Sequence, residues 1–149
     1  MSRYNVIKIE EIQLDCSDPL LGMYKLSPYV WQEGRTFKML IRAVNPSQDV
    51  TQQAARAYYG TSKDGIHFKM NDGPALAPST NSFDKDGCED PSVIYLNNRY
   101  LVYYTGWNVT KREGQLMLAT GSDVRHLEAN KIAVRSKKPY LNPKEATVT

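Results

Sequence analysis

Two adjacent carboxylates, Glu89 and Asp90, are the residues of this chain best placed by type and setting to do chemistry. They stand in GCEDPSVIYLNNRYLVYYTGWN, which starts at Gly87. A polar stretch, Ser79 to Asp86, leads the chain into them, and Pro91 follows. Proline fixes φ and removes a backbone donor, so Asp90 belongs at the mouth of a strand rather than inside one. A carboxylate held at such a mouth, near tyrosines, suits general acid work at a glycosidic oxygen. An acid before proline also serves as an ordinary turn or cap element.

Short apolar, β-branched and aromatic runs dominate the chain, separated by turn signals about every ten residues, which is the all-β pattern. The clearest runs are Phe37 to Val44, Ala57 to Gly60, Val93 to Leu96, Tyr100 to Thr105 and Leu116 to Thr120. Glu33-Gly34, Asp64-Gly65 and Asn97-Asn98 supply residues that tolerate positive φ. The segment Gln48 to Arg56 reads as a helix or equally as a loop leading into a strand. In Tyr103-Tyr104, alternation puts one ring on each face of a sheet.

The chain repeats itself. SPYVWQEGRTFKMLIRAVN, from Ser27, aligns with DPSVIYLNNRYLVYYTGWN, from Asp90, at an offset of 63 residues. TSKDGIHF, from Thr61, aligns with TGSDVRHL, from Thr120, at an offset of 59. A period near 60 residues with about four short strands reads as a propeller blade. The predicted fold is all-β: about two to two and a half four-stranded β-propeller blades, in one partial domain with units near 24–78 and 87–138. A third copy is expected to begin near Pro139-Tyr140-Leu141. Two blades and a start cannot close a ring, so a second copy or a missing C-terminal portion is expected to complete it. His67 and His126 fall at one repeat position, in turns resembling the Asp-box of sialidases. With Lys63 and Asp64 they read as turn-building residues.

Composition narrows the class. The 149 residues carry 19 Lys+Arg against 16 Asp+Glu, a net +3 without a dense basic run, which argues against nucleic acid. Ten Tyr against three Phe and two Trp suit strands with a wet edge, and rings that stack on sugars. Cys16 and Cys88 give no metal spacing and no disulfide framework, though one bridge between them stays open. No signal peptide, membrane span or metal site is read, and a cytoplasmic, reduced protein is expected.

GCEDP followed by an aromatic strand resembles the signature of glycoside hydrolase family 130. So does SPYVWQEGRTFKMLIRAVN, with arginine at the end of its apolar strand. The resemblance covers roughly residues 24 to 144. It implies a five-bladed propeller and a mannoside phosphorylase or hydrolase, with an oligosaccharide as partner. No cofactor is implied beyond inorganic phosphate as co-substrate of a phosphorylase. Asp90 then falls on the catalytic proton donor, and Arg42 on an arginine that binds sugar hydroxyls. Tyr104, Trp107 and Asn108 would line the sugar site, and Glu89 would be a hydrogen-bonding neighbour. Two positions depart from the pattern: Ser92 where the family has arginine after the EDP triplet, and Ser27 where it has asparagine. The phosphate-binding residues or second carboxylate of such enzymes come from later blades, so an alternative is a non-catalytic glycan-binding or assembly propeller module.

Overall fold

The computed structural model describes residues 6–47, 49, 53–80, 83–110 and 113–134. A short strand β1 (Gln13–Asp15) and a single 3-10 turn at Leu20–Gly22 precede two antiparallel sets of four. The first set is β2 (Tyr24–Glu33), β3 (Thr36–Val44), β4 (Arg56–Ser62) and β5 (His67–Leu76). The second is β6 (Gly87–Leu96), β7 (Arg99–Asn108), β8 (Glu113–Asp123) and β9 (His126–Val134). The sheet orders are β1-β5-β4-β3-β2 and β6-β7-β8-β9. Each set is a plain meander, the form of a propeller blade. β1 adds a parallel fifth strand to the outer edge of the first, with Gln13 opposite His67.

Of the segment read as helix or loop, residues 48 and 50–52 lie outside the described residues, and Arg56 opens β4. The expected third copy near Pro139 lies outside them as well. Neither Cys16 nor Cys88 forms a disulfide. Among the described residues, no helix is long and apolar enough to cross a membrane.

The turns follow local chemistry. Asn97 and Asn98, joining β6 to β7, have φ of 51° and 59°. In the first sheet, Gly34 between β2 and β3 and Gly65 between β4 and β5 take φ of 58° and 79°. In the turn after β4, the Asp64 carboxylate accepts hydrogen bonds from the Ile66 and His67 amides, both at 2.9 Å. The His67 ring nitrogen stands 2.8 Å from its other oxygen. The His67 amide, the His67 ring, the Ile66 amide and the Ser62 hydroxyl hold the Asp64 carboxyl well below the usual range. Asp123 repeats the device, accepting from the Arg125 amide at 2.9 Å with His126 at 3.5 Å. Both histidines therefore build turns, the role their repetition suggested.

Alternation in β3 splits the first sheet between two cores. Met39, Ile41 and Ala43 face a cluster closed by Leu20 and Met23 from the N-terminal segment. Leu40 points the other way, into a second cluster with Val102, Tyr104 and Met117 of the second sheet. That second core fixes one sheet against the other, and so fixes the relation of β3 to β6.

At one end of the seam a polar latch crosses between the sheets. The Tyr100 hydroxyl donates to Glu33 at 2.9 Å, and Lys38 Nζ donates to the Tyr100 oxygen at 2.7 Å. Trp31 Nε1 donates to Glu33 at 2.7 Å. Burial disfavours the charged Glu33, but the hydrogen bonds from Lys38, Trp31 and Tyr100 outweigh it and hold its carboxyl below the ordinary value. A depressed carboxyl contributes stability above its unfolded value, near 4.3, and loses it as pH falls through the folded value. The stability gap between wild type and Glu33→Gln is therefore expected to narrow on acidification below about pH 4.3. Urea titrations at stepped pH check this; a gap constant from neutral pH to pH 3 would contradict it.

Candidate active site

The site is assembled where β3 meets the start of β6. Arg42 lies on β3, opposite Leu26 of β2 and Ala57 of β4. Its Nη2 donates to Glu89 Oε1 at 2.9 Å, and its Nη1 reaches Asp90 Oδ1 at 3.4 Å. One guanidinium thus clamps both carboxylates, using the fork geometry that suits arginine to such work. The three side chains keep 22%, 23% and 31% of their surface exposed, so the cluster is partly dry yet reachable. Arg42 also keeps a buried donor, Nε, with no protein acceptor.

Asp90 is held in an uncommon backbone state. Its φ is +48°, in the left-handed region, directly before Pro91. A residue before proline is normally pushed to extended conformations, and a non-glycine in this region costs on the order of 1–3 kcal/mol. A break in the β6–β7 register between Glu89 and Ser92 accommodates it, and such bulges re-aim a side chain next to functional sites. Ser27 repeats the state 63 residues earlier, with φ of +46° before Pro28 and a register break between Leu26 and Tyr29. The two strands at the inner edges of the sheets thus begin with the same kink, the second carrying the carboxylate. The innermost strands also touch directly, the Tyr29 hydroxyl donating to the Val93 carbonyl at 3.2 Å.

Of the six residues named from sequence, the fold brings together Arg42, Glu89 and Asp90. Tyr104 is a correction: its ring is 1% exposed in the core between the sheets, and its hydroxyl donates to Asp84 Oδ2 at 2.7 Å. Strand alternation sends it inward and leaves Tyr103 half-buried on the opposite face. Trp107 is half-buried on β7, opposite Gly87, three residues before Asp90. Asn108 is buried at the end of that strand, opposite Glu113.

Sequence reading passed over Asp84, a fully buried carboxylate in the loop before β6. Its setting among polar neighbours hid it. The one local hint was Phe83, a ring that seeks the core, standing directly before the charged Asp84-Lys85-Asp86. Chemically, the cluster offers a carboxylate at a strand mouth, oriented by arginine. That is the equipment for donating a proton to a leaving oxygen, and among the described residues it carries no metal-binding group of His, Cys, Asp and Glu.

The chain is similar in sequence and in fold to known proteins. The family described as the glycosyl hydrolases family 32 N-terminal domain matches residues 44–146. A 1,2-β-oligomannan phosphorylase of Thermoanaerobacter sp. (strain X514) is 32% identical over 73 residues, 48% of this chain and 24% of that protein. A structure described as showing that the GH130 family of mannoside phosphorylases contains glycoside hydrolases that target β-1,2 mannosidic linkages in Candida mannan aligns with a TM-score of 0.63. It is 28% identical and covers 73% of this chain and 32% of that one. A glycosyl hydrolase from Bacteroides ovatus aligns with a TM-score of 0.61 at 26% identity, covering 70% and 30%. The chain thus spans about a quarter of the curated relative it matches and about a third of these structures. In sequence and fold it is similar to family 130, as its motifs suggested, while the family match itself is to the related family 32 propeller domain.

Proposed function

Because the chain belongs to the family of the glycosyl hydrolases family 32 N-terminal domain, we propose that it supplies the proton-donating half of a carbohydrate-active propeller. The substrate class is mannosides or related β-linked sugars, with an oligosaccharide as the partner it grips. The observation that carries this reading is the clamp of Arg42 on Glu89 and Asp90 at the kinked mouth of β6. In this reading Asp90 protonates the leaving oxygen, Arg42 orients Asp90 and meets sugar hydroxyls, and Glu89 holds Arg42 in place. Trp107, half-buried at the end of β7, would border the sugar; Asn108, buried beside it, is a correction to the sequence reading and would act from behind.

The sheets act as repeat units of one propeller domain, near 24–78 and 87–138, which further blades complete, either from a second copy or from a longer chain. The co-reactant of an inverting reaction arrives from those blades: inorganic phosphate for phosphorolysis, or a water activated by a second carboxylate for hydrolysis. The free thiols Cys16 and Cys88 suit a reducing, cytoplasmic setting.

The test is turnover of β-1,2-mannobiose by the protein with its ring complete, with and without inorganic phosphate, following released mannose and mannose 1-phosphate. Product in either condition supports the reading. A second reading, a glycan-binding module without turnover, is favoured by Ser92, which stands where the family's arginine would. Saturable mannobiose binding without product would select it.

A further inference from the structure

We infer that Asp84 is a positioning residue, a buried clamp that sets where β6 begins and so where Glu89 and Asp90 meet Arg42. This rests on the proposed role of Asp90.

Asp84 is 0% exposed, yet it is a carboxylate. A polar side chain buried this deeply needs close hydrogen-bond donors, and Asp84 has them from the loop and from β7. The Tyr104 hydroxyl of β7 donates to one oxygen at 2.7 Å, and the Ser79 hydroxyl donates to the other at 2.6 Å. The Cys88 thiol of β6 lies 3.9 Å from the first oxygen. Asp84 therefore ties the loop, the start of β6 and the middle of β7 at one buried point.

The backbone around it is drawn equally tight. The Gly87 amide donates to the Asp84 carbonyl at 3.1 Å, and the Asp86 amide donates to the Trp107 carbonyl at 3.0 Å. The Val109 amide donates to the Asp86 carboxylate at 2.8 Å. The Cys88 amide then crosses to the Ala55 carbonyl, just ahead of β4 in the first sheet, at 2.9 Å. Gly106 is required for this closeness. A Cβ there would stand 3.0 Å from the Asp84 Cβ and 2.7 Å from Met117 Cγ. One residue past Cys88 the chain reaches Glu89, whose carboxylate meets Arg42 of the first sheet. Without the clamp, the loop loses the buried carboxylate that anchors it, and the start of β6 is left to the backbone bonds of Asp86, Gly87 and Cys88.

The test needs no turnover. In a Cys16→Ser background, Cys88 is the sole thiol. Its rate of reaction with a neutral aromatic disulfide reports opening at the start of β6. In the same proteins the Nε–H resonance of Arg42, assigned by its loss in Arg42→Lys, reports the clamp on Glu89 and Asp90. Asp84→Ala is expected to speed Cys88 labelling at least tenfold and to abolish the Arg42 signal. Met39→Ala destabilises the other core of the first sheet and is expected to change neither. Should Asp84→Ala fail to fold, Tyr104→Phe, which removes one hydroxyl, carries the same expectation at smaller size. Retention of the wild-type labelling rate and Arg42 signal in Asp84→Ala would overturn the inference. So would their loss to the same extent in Met39→Ala. An Asp90→Asn protein that still cleaves sugar would remove the role of Asp90 and leave both readouts as predicted.

Discussion

Asp90→Asn is expected to lower turnover of a β-mannoside by about 10²–10⁴-fold, the range for losing a general acid. The substitution keeps size and hydrogen-bonding capacity and removes the acidic proton. Asparagine also tolerates positive φ well, so the kink before Pro91 at φ +48° should persist. The ion pair from Arg42 Nη1 to Asp90 is long, 3.4 Å, against 2.9 Å to Glu89. Arg42 should therefore stay anchored through Glu89, and stability should change little. Steady-state rates beside a thermal melt separate the two effects. Unchanged turnover would remove Asp90 from the chemistry, and a collapsed melt would mean the kink needs the charge.

Tyr104→Ala is expected to destabilise the chain by about 3–5 kcal/mol, the range for truncating a large buried ring. The ring is 1% exposed, in the core shared by the two sheets, beside Met117. Its loss opens a cavity and removes the 2.7 Å donor to Asp84, leaving a buried carboxylate short of a partner. Domains of this size have about 5–15 kcal/mol in total, so the variant should lie near its unfolding limit. Urea unfolding of Tyr104→Ala and Tyr104→Phe divides the effect between ring and hydroxyl. A loss below about 1 kcal/mol for the alanine would mean the seam between the sheets is not the core described.

What the sequence made legible was local or periodic. Asn97-Asn98, Gly34 and Gly65 were readable as positive-φ turns because residue type alone decides that conformation. Asp64 and His67 were readable as a turn because their partners lie within a few residues. The carboxylates before Pro91 announced themselves by the same local logic, and Arg42 by the resemblance of its strand.

Long-range partners were not legible. The Tyr103-Tyr104 pair told that one ring faces each way, but only the packing of the sheets decides which is buried. Asp84 lies five residues from Ser79 and twenty from Tyr104, and no spacing rule connects them. The Glu33–Lys38–Tyr100 latch joins residues 67 apart and shows in sequence only as an ordinary Glu-Gly turn. The parallel pairing of β1 with β5 leaves no periodic trace either, being three residues long.

The most direct measurement is a titration of the protein with β-1,2-mannobiose, followed through the Arg42 Nε–H resonance and the side-chain indole signals of Trp31 and Trp107. The account predicts saturable shifts at Arg42 and Trp107, with Trp31, locked to Glu33 at the seam, unmoved. Saturable binding that leaves Arg42 undisturbed would place the sugar elsewhere and contradict it.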